Sequence, residues 1–329
     1  MQEGYTTGHI LEIQRMSTED GPGLRTTLFL KGCPLHCPWC HNPESISSLK
    51  QLQWFSVKCI GCHTCIKSCP DQALSVGAQG EIMIDRGLCT SCGICAESCP
   101  TQAMSLIGYY EDSLSITEEL LKDRAYFTGA TEGGVTISGG EALLQAPFVA
   151  EVFSSLQAQG ISTALDTCGV CSSEALKIGI EAADIILFDL KLSDPITHAK
   201  LVGGELTVIL TRLRQVLERG KRVWIRTPII PGFTDSDENI RGLALILSDL
   251  IGQYGEQAIE RWELCAFNDL CADKYKRLGI PWLLAESPLM SEERMEYLVS
   301  VATEAGISTH IVSWTGMTKK GEENHEADV

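Results

Sequence analysis

Cysteine spacing is the feature that most limits what this chain can fold into. Eleven of its 15 cysteines lie between Cys33 and Cys99. The N-terminus, MQEGYTTGHILEIQRM, lacks the basic segment and apolar core of a signal peptide, so we expect a cytoplasmic protein with reduced thiols. In that compartment, clustered cysteines bind metals or perform catalysis more often than they form disulfides. The spacing therefore predicts metal sites.

Net charge and hydropathy argue against two classes of partner. The 329-residue chain has a formal net charge of −17, whereas nucleic acids and anionic membranes favour basic surfaces. No uninterrupted apolar stretch has the length of a membrane span. We therefore expect neither nucleic acid nor a membrane as a partner.

The cysteines include a repeat with a period of thirty residues. CIGCHTCIKSCPDQAL (59–74) aligns with CTSCGICAESCPTQAM (89–104), and both read C-x2-C-x2-C-x3-C-P. In ferredoxins with two [4Fe-4S] clusters, the fourth cysteine of each such run binds the other cluster. Zinc is less favoured, because zinc sites usually pair two C-x2-C knuckles. The spacing thus predicts two clusters on two sets of cysteines. The first set is Cys59, Cys62, Cys65 and Cys99. The second set is Cys89, Cys92, Cys95 and Cys69.

A third group of cysteines lies upstream, in CPLHCPWC. Cys33, Cys37 and Cys40 have the spacing C-x3-C-x2-C. A [4Fe-4S] cluster with only three thiolate ligands has one iron with an open position, and an open position on a metal is typical of a site that binds a substrate or cofactor. Taken alone, the trio is also compatible with chance spacing or with a lost fourth ligand.

The rest of the chain alternates between strand and helix patterns. Such alternation predicts a parallel sheet, here a partial (β/α)6 barrel of the α/β class, with the chemistry at the carboxyl ends of the strands. Predicted strands are 24–31, 134–138, 161–166, 184–190, 222–227 and 259–265; predicted helices include 144–159, 172–182, 206–219, 237–252 and 291–305.

Unusual residues follow these strands. The second strand ends in SGGEAL, where Gly139 and Gly140 would let the backbone approach a ligand and Glu141 adds a charge. Later strands end in DTCG, DLK, RTPIIPG and CAFNDLC. A single aspartate there is often only a helix cap, but polar or metal-binding endings on all six strands predict a site at this edge.

The segment DGPGLRTTLFLKGCPLHCPWCHNP (20–43) resembles the signature of the activating enzymes of glycyl radical enzymes, a branch of the radical S-adenosylmethionine (SAM) superfamily. The repeat resembles the ferredoxin insert of the larger members, and the resemblance extends to about Trp314. It implies that the open iron binds SAM, and that an electron from reduced flavodoxin or ferredoxin drives SAM cleavage. The resulting adenosyl radical would take a hydrogen from a glycine of a partner glycyl radical enzyme.

The resemblance also implies SAM contacts. Trp39, Cys40 and His41 would contact the adenine, and Gly139, Gly140 and Glu141 the methionyl amino group. In some members the aspartates that match Asp166 and Asp189 hold a monovalent cation. The family often has histidine where this chain has Asn268. The remaining implied contacts lie around the carboxylate and ribose or add a polar contact: Asp166, Asp189, Leu190, Lys191 and Arg226. A salt bridge for Arg226 and simple packing for His41 are the alternatives.

The domain prediction follows from these patterns. We expect barrel segments at 1–53 and 109–316, a ferredoxin-like insert at 54–108 folded largely by its clusters, and a disordered tail at 317–329. Cys168, Cys171, Cys265 and Cys271 lack cluster spacing and are interpreted as free thiols that pack as small residues.

Two other functions remain open at this point. One is a radical SAM enzyme that acts on a small molecule or peptide, and the other is a non-catalytic ferredoxin-type electron carrier. Short relatives that activate pyruvate formate-lyase or anaerobic ribonucleotide reductase lack the insert, which disfavours those partners.

Overall fold

The structure is a computed structural model that describes residues 4–127 and 132–319. Its strands are β1 (Thr7–Ser17), β2 (Arg25–Leu30), β3 (Gln51–Trp54), β4 (Leu74–Val76), β5 (Ile82–Ile84), β6 (Met104–Ile107), β7 (Tyr109–Asp112), β8 (Gly134–Gly139), β9 (Ser162–Thr167), β10 (Ile185–Asp189), β11 (Arg222–Ile229), β12 (Arg261–Ala266) and β13 (Val312–Thr315).

Its α-helices are mostly short, and the longest spans 18 residues. They are α1 (Pro43–Ile46), α2 (Thr64–Ser68), α3 (Ile94–Glu97), α4 (Ser113–Leu121), α5 (Arg124–Phe127), α6 (Ala146–Gln157), α7 (Ser173–Ala182), α8 (Pro195–Val202), α9 (Leu206–Leu217), α10 (Asp237–Tyr254), α11 (Ala272–Leu278) and α12 (Glu292–Glu304).

Nine strands form the main sheet, in the order β7-β1-β2-β8-β9-β10-β11-β12-β13. From β2 to β13 all neighbours are parallel, which confirms an α/β fold with a partial, barrel-like parallel sheet. The six predicted strands are all present. The prediction missed β13 at one edge and the antiparallel strands β1 and β7 at the other.

Helices cover one face of this sheet because their apolar residues recur on one side. In α10, Ile240, Leu243, Ala244 and Leu247 are buried in the main core, together with residues of the strands. Ser236 caps the first turn by accepting a hydrogen bond from the Asn239 N–H.

The other face of the sheet becomes polar toward the strand ends. Successive side chains of a strand point to opposite faces, so Leu187 and Asp189 of β10 share the face opposite the helices. Leu187 packs there in a small apolar cluster with Ala164 and Trp224. Two residues further along the neighbouring strands lie Asp166 and Arg226, so charged side chains converge at the carboxyl ends.

Residues 51–107 form a separate cysteine-rich unit. The antiparallel pair β3–β6 stands at its two ends, and the pair β4–β5 lies inside. Its buried core is small and includes two cysteines: Leu52, Cys65, Leu74, Ile82, Cys95 and Met104.

The predicted tail is described only at its start. The backbone N–H of Lys319 donates a hydrogen bond to the Met290 carbonyl at 2.8 Å, so the chain is attached to the barrel at this point. Residues 320–329 of the predicted disordered tail lie outside the described residues.

Candidate active site

The three-cysteine loop (residues 33–41) leaves the carboxyl end of β2. Its backbone is fixed from two sides: the Cys33 N–H donates to the Ile46 carbonyl at 3.0 Å, and the His36 N–H donates to the Val202 carbonyl at 3.0 Å. The thiols of Cys33, Cys37 and Cys40 are half-buried and close enough for their charges to interact. Burial raises the pKa of Cys33 to about 11. The loop therefore gathers three thiols in one place.

The two glycines of SGGEAL are required by the fold itself. A Cβ on Gly139, whose φ is +132°, would lie 2.2 Å from the Leu30 backbone. A Cβ on Gly140 would lie 2.1 Å from the Gly32 carbonyl oxygen and 2.9 Å from the Cβ of Cys33. These glycines let β8 approach the three-cysteine loop, an explanation that needs no ligand.

Glu141 is a buried anchor between the loop and β9. Its backbone N–H donates to the Gly32 carbonyl at 2.8 Å. Its carboxylate accepts hydrogen bonds from the Thr167 hydroxyl, the Cys168 N–H and thiol, and the Leu143 N–H, at 2.8–2.9 Å. Burial raises the pKa of this carboxyl group although these bonds favour the charged form. The charge that the sequence predicted for a ligand is thus used by the chain itself.

Lys191 is a buried cation whose charge acts on Cys33 and Cys37 of the three-cysteine loop. Its ammonium group forms an ion pair with Asp189, and its side chain is only 9% exposed. Burial lowers the pKa of Lys191, but the charges of Asp189 and Cys37 outweigh it and raise the pKa overall. Lys191 therefore stays protonated beside the loop.

Arg226 lies among acidic groups of two strands and one loop. Its guanidinium is 3.7 Å from Asp166, 3.7 Å from Glu263 and 4.0 Å from Asp20. The salt-bridge alternative is thus present, and sequence reasoning missed Asp20 and Glu263. Burial first, and then the charge of Asp189, raise the pKa of Asp166 to about 7 although Arg226 opposes the shift.

Asp166 itself is only partly satisfied. Its Oδ2 accepts a hydrogen bond from the Ser138 hydroxyl at 2.6 Å. Its Oδ1 is buried and has no hydrogen-bond partner within the described part of the chain. Buried carboxylate oxygens are nearly always paired, so this atom marks a position where a ligand hydroxyl or a cation would fit.

Helix α11 fixes the three-cysteine loop from the opposite side. The Tyr275 hydroxyl donates to the Cys40 carbonyl at 2.9 Å, and the Lys274 ammonium donates to Asn42 Oδ1 at 2.6 Å. The ring of Tyr275 stacks on Trp282 with centroids 5.3 Å apart. The pattern AFNDLCADKY contains both Lys274 and Tyr275, but it gave no signal that they contact the three-cysteine loop or Asn42.

The remaining predicted contacts have mixed surroundings. Trp39 is buried against Phe233, whereas His41 is exposed and hydrogen-bonds the backbone of Asn268. The Oδ1 of Asn268 accepts from the Leu270 N–H at 3.2 Å. Leu190 is a core residue whose carbonyl accepts from the Thr227 hydroxyl, so only its backbone borders the site.

Comparison with known proteins shows the family to which the chain belongs. The Radical SAM superfamily model matches residues 27–244, more than half of the chain. The chain is 34% identical over 315 residues to the indoleacetate decarboxylase activating enzyme of Tractidigestivibacter scatoligenes, covering 93% of this chain and 98% of the relative. It is 35% identical over 303 residues to the trans-4-hydroxy-L-proline dehydratase activating enzyme of Clostridioides difficile, covering 92% and 98%. The chain belongs to the radical SAM activating enzymes of glycyl radical enzymes.

This membership makes the chain an oxidoreductase that uses SAM to generate a glycyl radical. Pyruvate formate-lyase, a partner that the sequence disfavoured, appears in the name of one similar protein. The pyruvate formate-lyase 2-activating enzyme of Escherichia coli K12 is 33% identical over 306 residues, covering 92% of this chain and 91% of that protein. Chain length therefore does not separate this activating enzyme from relatives named for pyruvate formate-lyase. Within the described ranges, no helix combines the length and apolar character of a membrane span.

The cysteine-rich unit of this activating enzyme brings its cysteines together in two groups. The charge of Cys99 acts on Cys62 and Cys65, and the charges of Cys69, Cys89 and Cys92 act on Cys95. The four cysteines of the second set line one pocket of about 290 Å³, a volume that includes its opening to solvent. The charges that act on these thiols follow the crossed pairing of the repeat, and the charge of Cys65 also acts on Cys95 across the two groups.

The two halves of the unit share an unusual backbone. Three pairs of positions thirty residues apart have left-handed φ angles: Gly61 and Ser91, His63 and Gly93, and Gln72 and Gln102. Four of these six residues are not glycine, so the conformation costs energy at each of them.

Among the described residues, no three His, Cys, Asp or Glu side chains converge closely enough to hold a single metal ion.

Proposed function

We propose that this activating enzyme carries three [4Fe-4S] clusters, one on the three-cysteine loop and two in the cysteine-rich unit. The observation that carries the proposal is the loop at the end of β2, where three thiols lie beside Lys191 and the acidic strand ends. Cys168 is also close to Lys191 and Cys33, but its thiol donates a hydrogen bond to the Glu141 carboxylate. Such a site has room for a ligand on the fourth iron.

The cluster on Cys33, Cys37 and Cys40, when bound, supplies the electron that cleaves SAM. The chain's own residues bind and orient the cofactor. Lys191 is the cation available to the SAM carboxylate. The unpaired Oδ1 of Asp166 is available to a ribose hydroxyl or to a monovalent cation, with Asp189 nearby. The backbone of Trp39–His41 would border the adenine.

We also infer that residues 54–108 are a ferredoxin-like domain with two clusters. Support comes from the crossed grouping of the cysteines, the pocket of the second set and the repeated left-handed positions. Backbone N–H groups already point at two of the sulfurs: Ala73 donates to Cys69 Sγ at 3.4 Å and Met104 to Cys99 Sγ at 3.5 Å. Reduced flavodoxin or ferredoxin is the proposed electron donor, and the substrate is a glycine of a partner enzyme.

The test is electron paramagnetic resonance (EPR) on anaerobic mixtures with SAM, a reductant and purified candidate glycyl radical enzymes. We expect a glycine-centred doublet with the correct partner, together with release of methionine and 5′-deoxyadenosine. The matched control is the triple variant Cys33→Ala/Cys37→Ala/Cys40→Ala, which should give neither. SAM cleavage without a doublet for any partner, but with a modified small molecule or peptide, would favour the other radical SAM function.

A further inference from the structure

The two cysteine sets of the unit are not placed equally with respect to the barrel. The pair β3–β6 joins the unit to the barrel, because both strands stand at its chain ends. Leu52 of β3 lines the pocket of the second set, together with Cys69, Cys89, Cys92 and Cys95. The thirty-residue repeat relates Leu52 of β3 to Ile82 of β5, and Leu74 of β4 also lines the pocket of the second set. On the pair β4–β5, Val76 and Met83 are exposed to solvent.

The β3–β6 end of the unit is packed on the barrel. Ile107 of β6 is buried with Leu11 of β1, Phe29 of β2 and Leu278 of α11 in one apolar cluster. Arg277 of α11 adds a hydrogen bond to the side-chain oxygen of Gln53 at 3.1 Å and lies over the ring of Phe55, 4.8 Å from its centroid. The unit thus contacts the barrel through α11 and its neighbours.

Arg86 connects three parts of the molecule. Its guanidinium donates to the Leu52 carbonyl of β3 at 2.7 Å and to the Leu278 carbonyl of α11 at 2.7 Å. The last carbonyls of a helix lack partners within the helix, so a cation there satisfies one and interacts well with the helix dipole. Arg86 is also close enough to Cys89 for their charges to interact.

Helix α11 contacts the three-cysteine loop at its other residues. Tyr275 donates to the Cys40 carbonyl, and Lys274 donates to Asn42. Hydrogen bonds therefore connect Arg86 to α11 and α11 to Cys40, and the charge of Cys89 acts on Arg86 at the other end.

We infer that the second set, Cys69, Cys89, Cys92 and Cys95, is the nearer of the two to the three-cysteine loop, and that Arg86 is the positioning residue that holds it there. The inference rests on the proposed function for the presence of clusters. In this arrangement the first set is the outer site, farther from the three-cysteine loop, and the second set is the inner site.

The order of the two sets is tested with a matched pair of double variants. The repeat relates Cys89→Ala/Cys92→Ala to Cys59→Ala/Cys62→Ala, and each variant should lose about four iron atoms per chain after anaerobic reconstitution. The readout is microwave-power saturation of the EPR signal of the reduced cluster on Cys33, Cys37 and Cys40. Loss of a nearby paramagnetic cluster slows its relaxation.

We expect the Cys89/Cys92 variant to lower the half-saturation power severalfold and the Cys59/Cys62 variant to change it little. An equal change in both variants, or a larger change in the Cys59/Cys62 variant, would overturn the order. If neither variant loses iron, the cysteine-rich unit holds no clusters, and it is the proposed function that fails. Iron counts in the same samples distinguish these outcomes.

The role of Arg86 is tested by hydrogen exchange of the reconstituted full-length protein. We expect Arg86→Ala to increase exchange severalfold in α11 and in β3 without loss of iron. Arg86→Lys keeps the charge but cannot donate to both carbonyls in the same geometry. Its hydrogen-exchange rate in α11 and β3 should therefore lie between those of the wild type and Arg86→Ala. Lys67→Ala, which removes an exposed charge from the same unit, is the control. Exchange in Arg86→Ala equal to that of Lys67→Ala would show that Arg86 does not position the unit.

Discussion

The two cysteine-rich regions of this chain are held in different ways. The three-cysteine loop is fixed by residues far away in the sequence, including Val202 and Tyr275. The cysteine-rich unit has a buried core of six residues, two of which are cysteines. The first region is a loop on a large barrel, whereas the second is a small unit whose core includes two of its own cysteines.

The difference separates two roles that metal binding can have. A loop that the protein already holds in place is organised for chemistry before its cluster binds. A unit with so small a core cannot bury enough apolar surface to fold securely, so cluster binding supplies folding free energy. We therefore expect the same treatment to have opposite consequences in the two regions.

The largest effect should follow removal of the loop thiols. Cys33→Ala/Cys37→Ala/Cys40→Ala should abolish SAM cleavage, because no ligand remains for the reactive cluster, while the barrel stays folded on its own core. Methionine and 5′-deoxyadenosine release, iron content and far-UV circular dichroism measure this. The control Cys59→Ala/Cys62→Ala should keep SAM binding. If the triple variant still cleaves SAM, the loop is not the catalytic cluster site.

Iron removal from the whole protein should unfold the cysteine-rich unit and spare the barrel. Anaerobic chelation should remove almost all hydrogen-exchange protection in residues 55–103, because the unit loses its cluster-derived stability. The strands around Ile186 and Phe188 are fully buried and should keep theirs. Exchange mass spectrometry of both states gives the answer. Retained protection in the unit after iron loss would mean that its small core suffices.

Glu141 should matter for stability as much as for the cofactor. Glu141→Ala leaves the buried Thr167 hydroxyl and the Leu143 and Cys168 N–H groups without their acceptor, which should cost about 3 kcal/mol of unfolding free energy. Glu141→Gln keeps one acceptor oxygen and should cost less. Chemical denaturation under anaerobic conditions measures both. A stable alanine variant with weak SAM binding would instead favour a direct cofactor contact.

The strand ends also predict a pH dependence. The pKa of Asp166 is about 7 in the fold, above its ordinary value of 3.8. The folded state therefore binds this proton more tightly, so the associated stability is present below about pH 4 and is lost as the pH rises through 7. Asp166→Asn should remove this loss and gain about 2.5 kcal/mol over wild type at pH 8 relative to pH 5. Melting temperatures across that range, with Asp189→Asn for comparison, provide the measurement.

The sequence predicts the parallel strands well and the edges poorly. Strands such as β10 are buried on both faces, so they appear as uninterrupted apolar runs. Strand β13 has only four residues, and β1 has exposed residues and two register shifts, so neither has a clear pattern. The contact of Tyr275 with Cys40 joins positions 235 residues apart, and no local signal can reveal it.

The spacing of cysteines is easier to predict from the sequence than the environment of a charged side chain. Ligand spacing within a loop is a local property, and the crossed grouping follows from a repeat. The environment of Glu141 or Arg226 depends on strands that the sequence does not align. Glu141 is bonded to Thr167 and Cys168, and Arg226 to the Glu19 carbonyl, which only the three-dimensional register shows.

The smallest expected effect concerns Asn268, where the family often has histidine. Its Oδ1 accepts a hydrogen bond from Leu270 two residues later, and the residue is half-buried at the end of β12. Asn268→His therefore replaces one modest hydrogen bond and should keep SAM cleavage within about tenfold of wild type. Asn268→Ala is the matched control, because it removes the bond without adding an imidazole. A complete loss of SAM binding in the histidine variant alone would mean that this loop approaches the cofactor more closely than its hydrogen bonds indicate.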